Sequence, residues 1–167
     1  MSYKNIVVLT GAGISAESGL KTFRDNDGLW EGHRVEEVAT PEAFESHPAL
    51  VQTFYNERRA QLQTAEVRPN AAHEALAEFE RQHVLLPDAK FTLVTQNVDD
   101  LHQRAGSANV IAMHGELLKA RCLVCDAVQL QLADIDATSV CDECGARAKL
   151  RPHIVWFGEI LRRGRQH

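Results

Sequence analysis

Two Cys-x-x-Cys pairs, Cys122/Cys125 and Cys141/Cys144, constrain this chain more than any other feature. They contain every cysteine of the sequence, and the fifteen residues 126–140 lie between them. Each knuckle can supply two thiolates with little strain, and two knuckles at this spacing make a tetrahedral zinc site. With four thiolates the ion has no open position, so the expected role is structural. Disulfides and unrelated buried thiols are the alternatives. A chain read as cytoplasmic disfavours disulfides. Residues 118–150 are therefore expected to form a small zinc-ribbon module set into a larger body. The segment between the pairs, "DAVQLQLADIDATSV", is acidic, which argues against a nucleic-acid-binding ribbon.

The body around this module has an α/β pattern. "NIVVLT" (5–10) is continuously apolar and β-branched and stops at Gly11, as a fully buried strand would. Amphipathic helices are expected over 47–65 and 70–83, the second with Asn70 as N-cap. "KFTLVTQN" (90–97) and "NVIAMHG" (109–115) read as further strands. Strands alternating with helices imply a parallel sheet, and ligands bind at the carboxyl ends of such strands. Gly11, Gln96, Asn97, Asp99 and His114 all fall at those ends. An apolar run returns at 153–159.

With 167 residues, 44% of them hydrophobic, the chain can bury one core. No apolar run reaches the about eighteen residues of a membrane span, and the N-terminal apolar stretch is too short for a signal peptide. A cytoplasmic location and no membrane partner are expected. A net charge of −5 argues against nucleic acid as a partner and is compatible with a cationic protein or peptide substrate.

"GAGISA" follows the first strand and fits G-x-G-x-x-A. Gly11 and Gly13 would let the backbone turn sharply and approach a phosphate at a helix N-terminus. A tight strand-to-helix turn without ligand fits the same six residues. The isolated acid that usually follows about twenty residues on is missing. A polar loop, "KTFRDNDGLW", stands there instead. It could close over a ligand, with Arg24 near phosphate and Phe23 shielding a reactive carbon, or it could be solvated.

Taken together, "GAGISAESGLKTFRDNDGLW", "TQNVDDLH", "MHGE", the two cysteine pairs and "RPHIVWFGE" resemble, in order and spacing, the sirtuins, NAD-dependent protein-lysine deacylases, and within them the bacterial CobB type. The likeness runs from about residue 5 to 159. It implies a Rossmann-like NAD-binding domain over 1–117 and 151–160, with a helical and cofactor-loop insertion at about 25–68. It also implies that Gly11, Ala12 and Gly13 hold the NAD pyrophosphate, with Glu17, Thr22, Phe23, Arg24 and Trp30 in the cofactor helix and loop. Gln96, Asn97 and Asp99 would surround the nicotinamide and its ribose.

The chemistry so implied is cleavage of the nicotinamide–ribose bond rather than hydride transfer. The acyl-lysine oxygen captures the ribose carbon, and His114 acts as general base through the ribose hydroxyls, with Asn97 assisting at the same centre. The products are lysine, nicotinamide and an O-acyl-ADP-ribose. Imidazole titrates near neutral pH, which suits the role. The remaining histidines (33, 47, 73, 83, 102, 153, 167) are read as ordinary. Val155, Phe157 and Gly158 would line the acyl-lysine tunnel and pair with the substrate backbone.

Tyr55 and Arg58, three apart on a helix, share a face and read from sequence alone as a surface packing pair. In the family, Tyr-x-x-Arg marks a preference for acidic acyl groups such as succinyl, so succinyl-lysine is expected beside acetyl-lysine on partner proteins or peptides; a soluble chain is expected to be a monomer. The resemblance ends near 159. No counterpart of the later strands that hold the adenosine half of NAD is seen, and 161–167 reads as a non-family tail. The sheet is therefore expected to be incomplete at its C-terminal side. An inactive fragment and a mono-ADP-ribosyltransferase remain the alternative readings.

Overall fold

A computed structural model describes residues 3–21 and 30–160. Strand β1 (Asn5–Thr10) leads into a seven-residue 3-10 segment, Ala12–Ser18. Helices α1 (Val35–Val38), α2 (Pro41–Ser46), α3 (Pro48–Leu62) and α4 (Ala71–His83) follow. Then come β2 (Lys90–Thr95), the short α5 (Leu101–Arg104), β3 (Val110–Ala112), β4 (Gly115–Cys122), β5 (Val128–Leu130) and β6 (Leu150–Ile154).

The strands make two sheets. One is parallel in the order β1-β2-β3, with Asn5 opposite Lys90 and Leu93 opposite Val110. The other is antiparallel in the order β5-β4-β6 and carries the cysteine knuckles. This Rossmann-like parallel sheet with a cysteine-bearing ribbon is the α/β arrangement expected.

Helix boundaries follow local chemistry. Thr40 caps α2 by accepting from the Ala43 N–H at 3.1 Å, and Pro41 and Pro48 stand in the first turns of α2 and α3, where no partner for an N–H is lost. Asn70 is the N-cap of α4, accepting from Ala72 N–H at 3.0 Å. Its amide also donates to the Ile14 carbonyl at 2.8 Å and Ser18 Oγ at 2.9 Å, which pins the 3-10 segment to the start of α4.

The main core lies between α1–α3 and the β4/β6 pair. On α3, Val51, Phe54, Tyr55 and Leu62 are buried against Leu101, Leu117, Ile154 and Trp156. Arg59 lies on the same buried stripe, where its Nη1 donates to Asn56 Oδ1 at 2.6 Å. Burial pulls its guanidinium pKa down to about 10, against the opposing charge of Asp134.

Three expectations are corrected. β1 is not fully buried: it is an edge strand, and Val7 and Leu9 are 69% and 62% exposed. Continuous apolarity fits a two-sided core, but among the described residues nothing covers that face. β2 ends at Thr95 rather than at residue 97, because the chain after Gln96 turns toward the glycine segment. The stretch 109–115 is not one strand. β3 stops at Ala112, and Gly115 opens β4 with φ +87°. A Cβ at Gly115 would collide with the His153 carbonyl, so only glycine fits this crossing.

Candidate functional site

The carboxyl ends of β1 and β2 meet at the glycine segment. Gly11 is extended (φ −139°), and neither it nor Gly13 uses a left-handed conformation; Gly19 does, at φ +86°. The chain nevertheless turns directly after β1, with the Ile14 N–H bonded to the Gly11 carbonyl at 3.1 Å, so the turn is made without a left-handed residue at Gly11 or Gly13. A side chain at Gly13 would meet nothing within 4 Å, so this backbone stands open. The expected helix start is a 3-10 segment instead, without a side-chain cap.

Ser15 joins the two strand ends. Its hydroxyl donates to Asp99 Oδ2 at 2.9 Å and accepts from Asn97 Nδ2 at 3.0 Å. Asn97 Nδ2 also reaches the Gly11 carbonyl at 3.2 Å, and Asp99 Oδ1 accepts from the Leu101 N–H at 3.1 Å. Asn97 and Asp99 are both nearly buried, so these bonds fix their side chains before any ligand arrives. Ser15 was absent from the sequence-based site; a small hydroxyl among apolar neighbours was its only signal.

His114 sits between β3 and β4. Its Nδ1 lies 2.9 Å from the Gln96 carbonyl. A carbonyl only accepts, so Nδ1 carries the proton and Nε2 is left as the basic atom. The His114 carbonyl in turn accepts from the Val155 N–H at 2.8 Å, so the histidine and the segment after β6 are tied back to back.

These groups line a single cavity of about 590 Å³. Ala12, Trp30, Gln96, Asn97, Asp99 and His114 lie along it together with Tyr55, Arg58, Val155, Phe157 and Gly158. Gly11, Gly13 and Glu17 are not among the lining residues; Glu17 is exposed on the 3-10 segment. Thr22, Phe23 and Arg24 lie outside the described residues. Sequence reasoning missed Trp156, Glu159, Leu117 and Gln61, which also line the cavity.

Tyr55 is fully buried, with its hydroxyl accepting from Trp156 Nε1 at 2.9 Å. Burial raises its pKa well above the ordinary phenol value, so it stays neutral and keeps a proton to donate. Arg58 is largely buried, not a surface residue. Its Nη1 donates to the Phe54 carbonyl and to Glu57 Oε2, each at 3.0 Å, its guanidinium carbon lies 4.3 Å from the Phe54 ring centroid, and its buried Nε has no partner among the described residues.

The chain matches the Sir2 family model over residues 11–167. It belongs to the Sir2 family. Its relatives include proteins named NAD-dependent protein deacylase. That of Vibrio parahaemolyticus is 57% identical over 163 residues, covering 97% of this chain and 66% of the relative. That of Escherichia coli O6:H1 is 58% identical over 160 residues, covering 96% and 57%. A solved Sir2 homologue–NAD complex superimposes with a TM-score of 0.79 at 48% identity over 95% of this chain and 59% of that one. A solved ADP-ribose complex of a Sir2 homologue mutant gives 0.80 at 48% identity, over 95% and 61%. The Sir2 chain thus spans about two thirds or less of the length of these relatives.

The Sir2 chain also has a metal site. The four Sγ atoms lie within 4.8 Å of one another, and the Cys122–Cys144 and Cys125–Cys141 pairs are both 3.7 Å apart. A disulfide needs about 2.05 Å. Zinc–sulfur bonds of about 2.3 Å in a tetrahedron place sulfurs about 3.8 Å apart. Backbone N–H groups of Cys125 and Val124 draw the Cys122 thiol down to about 7. The cluster fits one structural zinc ion.

Proposed function

We propose that this chain carries the catalytic half-site of an NAD-dependent protein-lysine deacylase acting on both acetyl- and succinyl-lysine. The observation that supports it most directly is the convergence of His114, Asn97 and Asp99 on one cavity with Tyr55, Arg58 and the segment 155–158. NAD would supply the ribose carbon that accepts the acyl oxygen when nicotinamide leaves. The prearranged Ser15–Asn97–Asp99 cradle and the open backbone at Gly13 suit a polar, phosphate-bearing ligand.

In this reading Nε2 of His114 takes a proton from the ribose hydroxyl relay, its orientation and tautomer set by the Gln96 carbonyl. Asn97 and Asp99 orient the nicotinamide and its ribose. The backbone of 155–158 aligns the acyl-lysine by adding a strand. Arg58 and Tyr55 receive the distal carboxylate of a succinyl group, the guanidinium by charge and the neutral phenol by donating its proton. Residues 118–150 then serve as the structural zinc module, and 1–117 with 151–160 as the NAD-binding domain.

Nicotinamide release from NAD and either acyl peptide tests this. His114→Ala should lower the rate by about 10²- to 10⁴-fold with both peptides. Arg58→Met should weaken succinyl-lysine turnover by about tenfold or more, the value of one charge-assisted contact, and leave acetyl-lysine turnover nearly unchanged. Equal losses on both peptides would remove the acidic-acyl reading. Release of nicotinamide with ADP-ribose left on protein would favour mono-ADP-ribosyl transfer. No release from a folded, zinc-loaded chain would favour an inactive fragment.

A further inference from the structure

One wall of the cavity carries an ion-pair assembly that the proposed chemistry does not use. Arg151 is 5% exposed and is the second residue of β6, opposite Arg121 on β4. Its guanidinium donates to both Glu159 oxygens, at 2.7 and 3.1 Å, and to the Ile154 carbonyl at 2.9 Å. Its guanidinium carbon also lies 3.5 Å from the Trp156 ring centroid. Glu159 accepts in addition from the Trp156 backbone N–H at 2.9 Å and stands 3.8 Å from Arg121 on β4. One arginine thus grips the end of a strand, the ring two residues on and the carboxylate that closes the following turn.

That turn is cavity wall. Glu159 N–H bonds the Trp156 carbonyl at 3.0 Å, and Gly158 adopts φ +85°. Trp156 is 2% exposed, and its Nε1 reaches the Tyr55 hydroxyl. The assembly therefore runs from Arg121 and Arg151 through Glu159 and Trp156 to the phenol facing the acyl group. Burial alone would raise the Glu159 carboxyl. The hydrogen bonds from Arg151 and the Trp156 N–H prevail and hold it below the usual range.

We propose that Glu159, clamped by Arg151, is a positioning residue that sets the Trp156–Gly158 wall and, through Trp156, the Tyr55 hydroxyl for acyl-lysine binding. The inference rests on the deacylase reading for its substrate but not for its geometry. A fork-shaped, charge-assisted pair stacked on an aromatic ring specifies one orientation of that ring. A wall built on a glycine turn without such a pair would sample several. Neither partner needs to touch substrate.

The test uses the zinc-loaded chain with Glu159→Gln, Glu159→Asp, Arg151→Lys and Trp156→Phe. Glu159→Gln should raise the acyl-peptide KM by about tenfold and shift the KM for NAD by less than about twofold. Glu159→Asp, which keeps the charge, should stay closer to the parent, and Arg151→Lys, which loses the fork, should resemble Glu159→Gln. Trp156→Phe leaves the ion pair intact and should raise peptide KM by a few-fold. It keeps the idea testable if a clamp variant does not fold. Amide exchange gives a readout without turnover. The Val155 and Phe157 N–H groups, bonded to His114 and Ala39 carbonyls, should exchange about tenfold faster in Glu159→Gln while β2 amides stay protected. Equal shifts in both KM values, or unchanged exchange in a folded variant, would overturn the proposal. A parent chain that turns over no acyl peptide would defeat the deacylase reading instead, with exchange still deciding the clamp.

Discussion

Single side chains at the strand ends show how far residue types alone carry a reading. His114, Asn97 and Asp99 stand out in the sequence because polar groups rarely close a buried strand without purpose. Their convergence is in the structure, but the bond that sets the His114 tautomer, to the Gln96 carbonyl, has no sequence signature. Arg58 and Arg59 show the opposite failure. Adjacent arginines look like a solvated face, yet Arg59 is fully buried and Arg58 largely so, because the core-facing stripe of α3 includes residue 59 and the cavity-facing side includes 58. Two other residues, His73 and His102, were read as ordinary and form a buried pair with ring centroids 4.8 Å apart, His102 Nε2 standing 3.0 Å from Thr10 Oγ1. Burial lowers both imidazoles, and for His102 the neighbouring His73 adds to the shift, while Asp99 opposes it. The unfolded chain therefore binds protons that the folded chain refuses. Stability from these two groups is present above about pH 6.5 and is lost as pH falls toward their depressed folded values. Denaturant midpoints measured from about pH 7.5 down to about 5.5 should fall, and His73→Gln should flatten the decline. A flat parent profile would show that the pair is solvated.

At the level of elements, caps and turns were more legible than burial. Asn70 could be read as an N-cap because a short polar side chain precedes an amphipathic run, and its amide accounts for a link to the glycine segment that no pattern announces. Asn70→Ala should cost about 1 kcal/mol from the cap, and more from the lost bonds to Ile14 and Ser18. Chemical denaturation would show it, and a cost well below that figure would mean the link is not made in solution. The cysteine knuckles were legible because thiolate geometry admits few alternatives. They also secure the far end of the second sheet, since Cys122 pairs with Leu150 across β4 and β6. Chelating the metal should speed amide exchange at residues 119–122 and 150–152 by at least about tenfold, sparing β1 and β2, with undiminished protection showing that the ribbon holds without an ion.

Across the whole molecule, the parallel sheet is where the sequence misleads. Continuous apolarity in β1 is the pattern of a strand buried on both faces, and among the described residues only one of them is covered. Composition records what a face can pack against, not whether a neighbouring element does so. Leu9→Thr should therefore change stability by less than about 0.5 kcal/mol in the isolated chain, against about 2–4 kcal/mol for a true core leucine; calorimetry distinguishes the two. A large loss would show that another surface covers this face in solution.

β4 begins directly after His114 and ends at Cys122, only eight residues long. It acts as a ruler between the imidazole of His114 and the thiol of Cys122. Losing or gaining one residue in it would turn every following side chain to the opposite face and dislodge thiolate and imidazole together. Its register is already irregular between Glu116 and Ala120, and such a bulge is the natural place for slack. A change of length, in evolution or by design, has that short stretch as its one tolerant site, and a ribbon grafted from another protein must be joined beyond it.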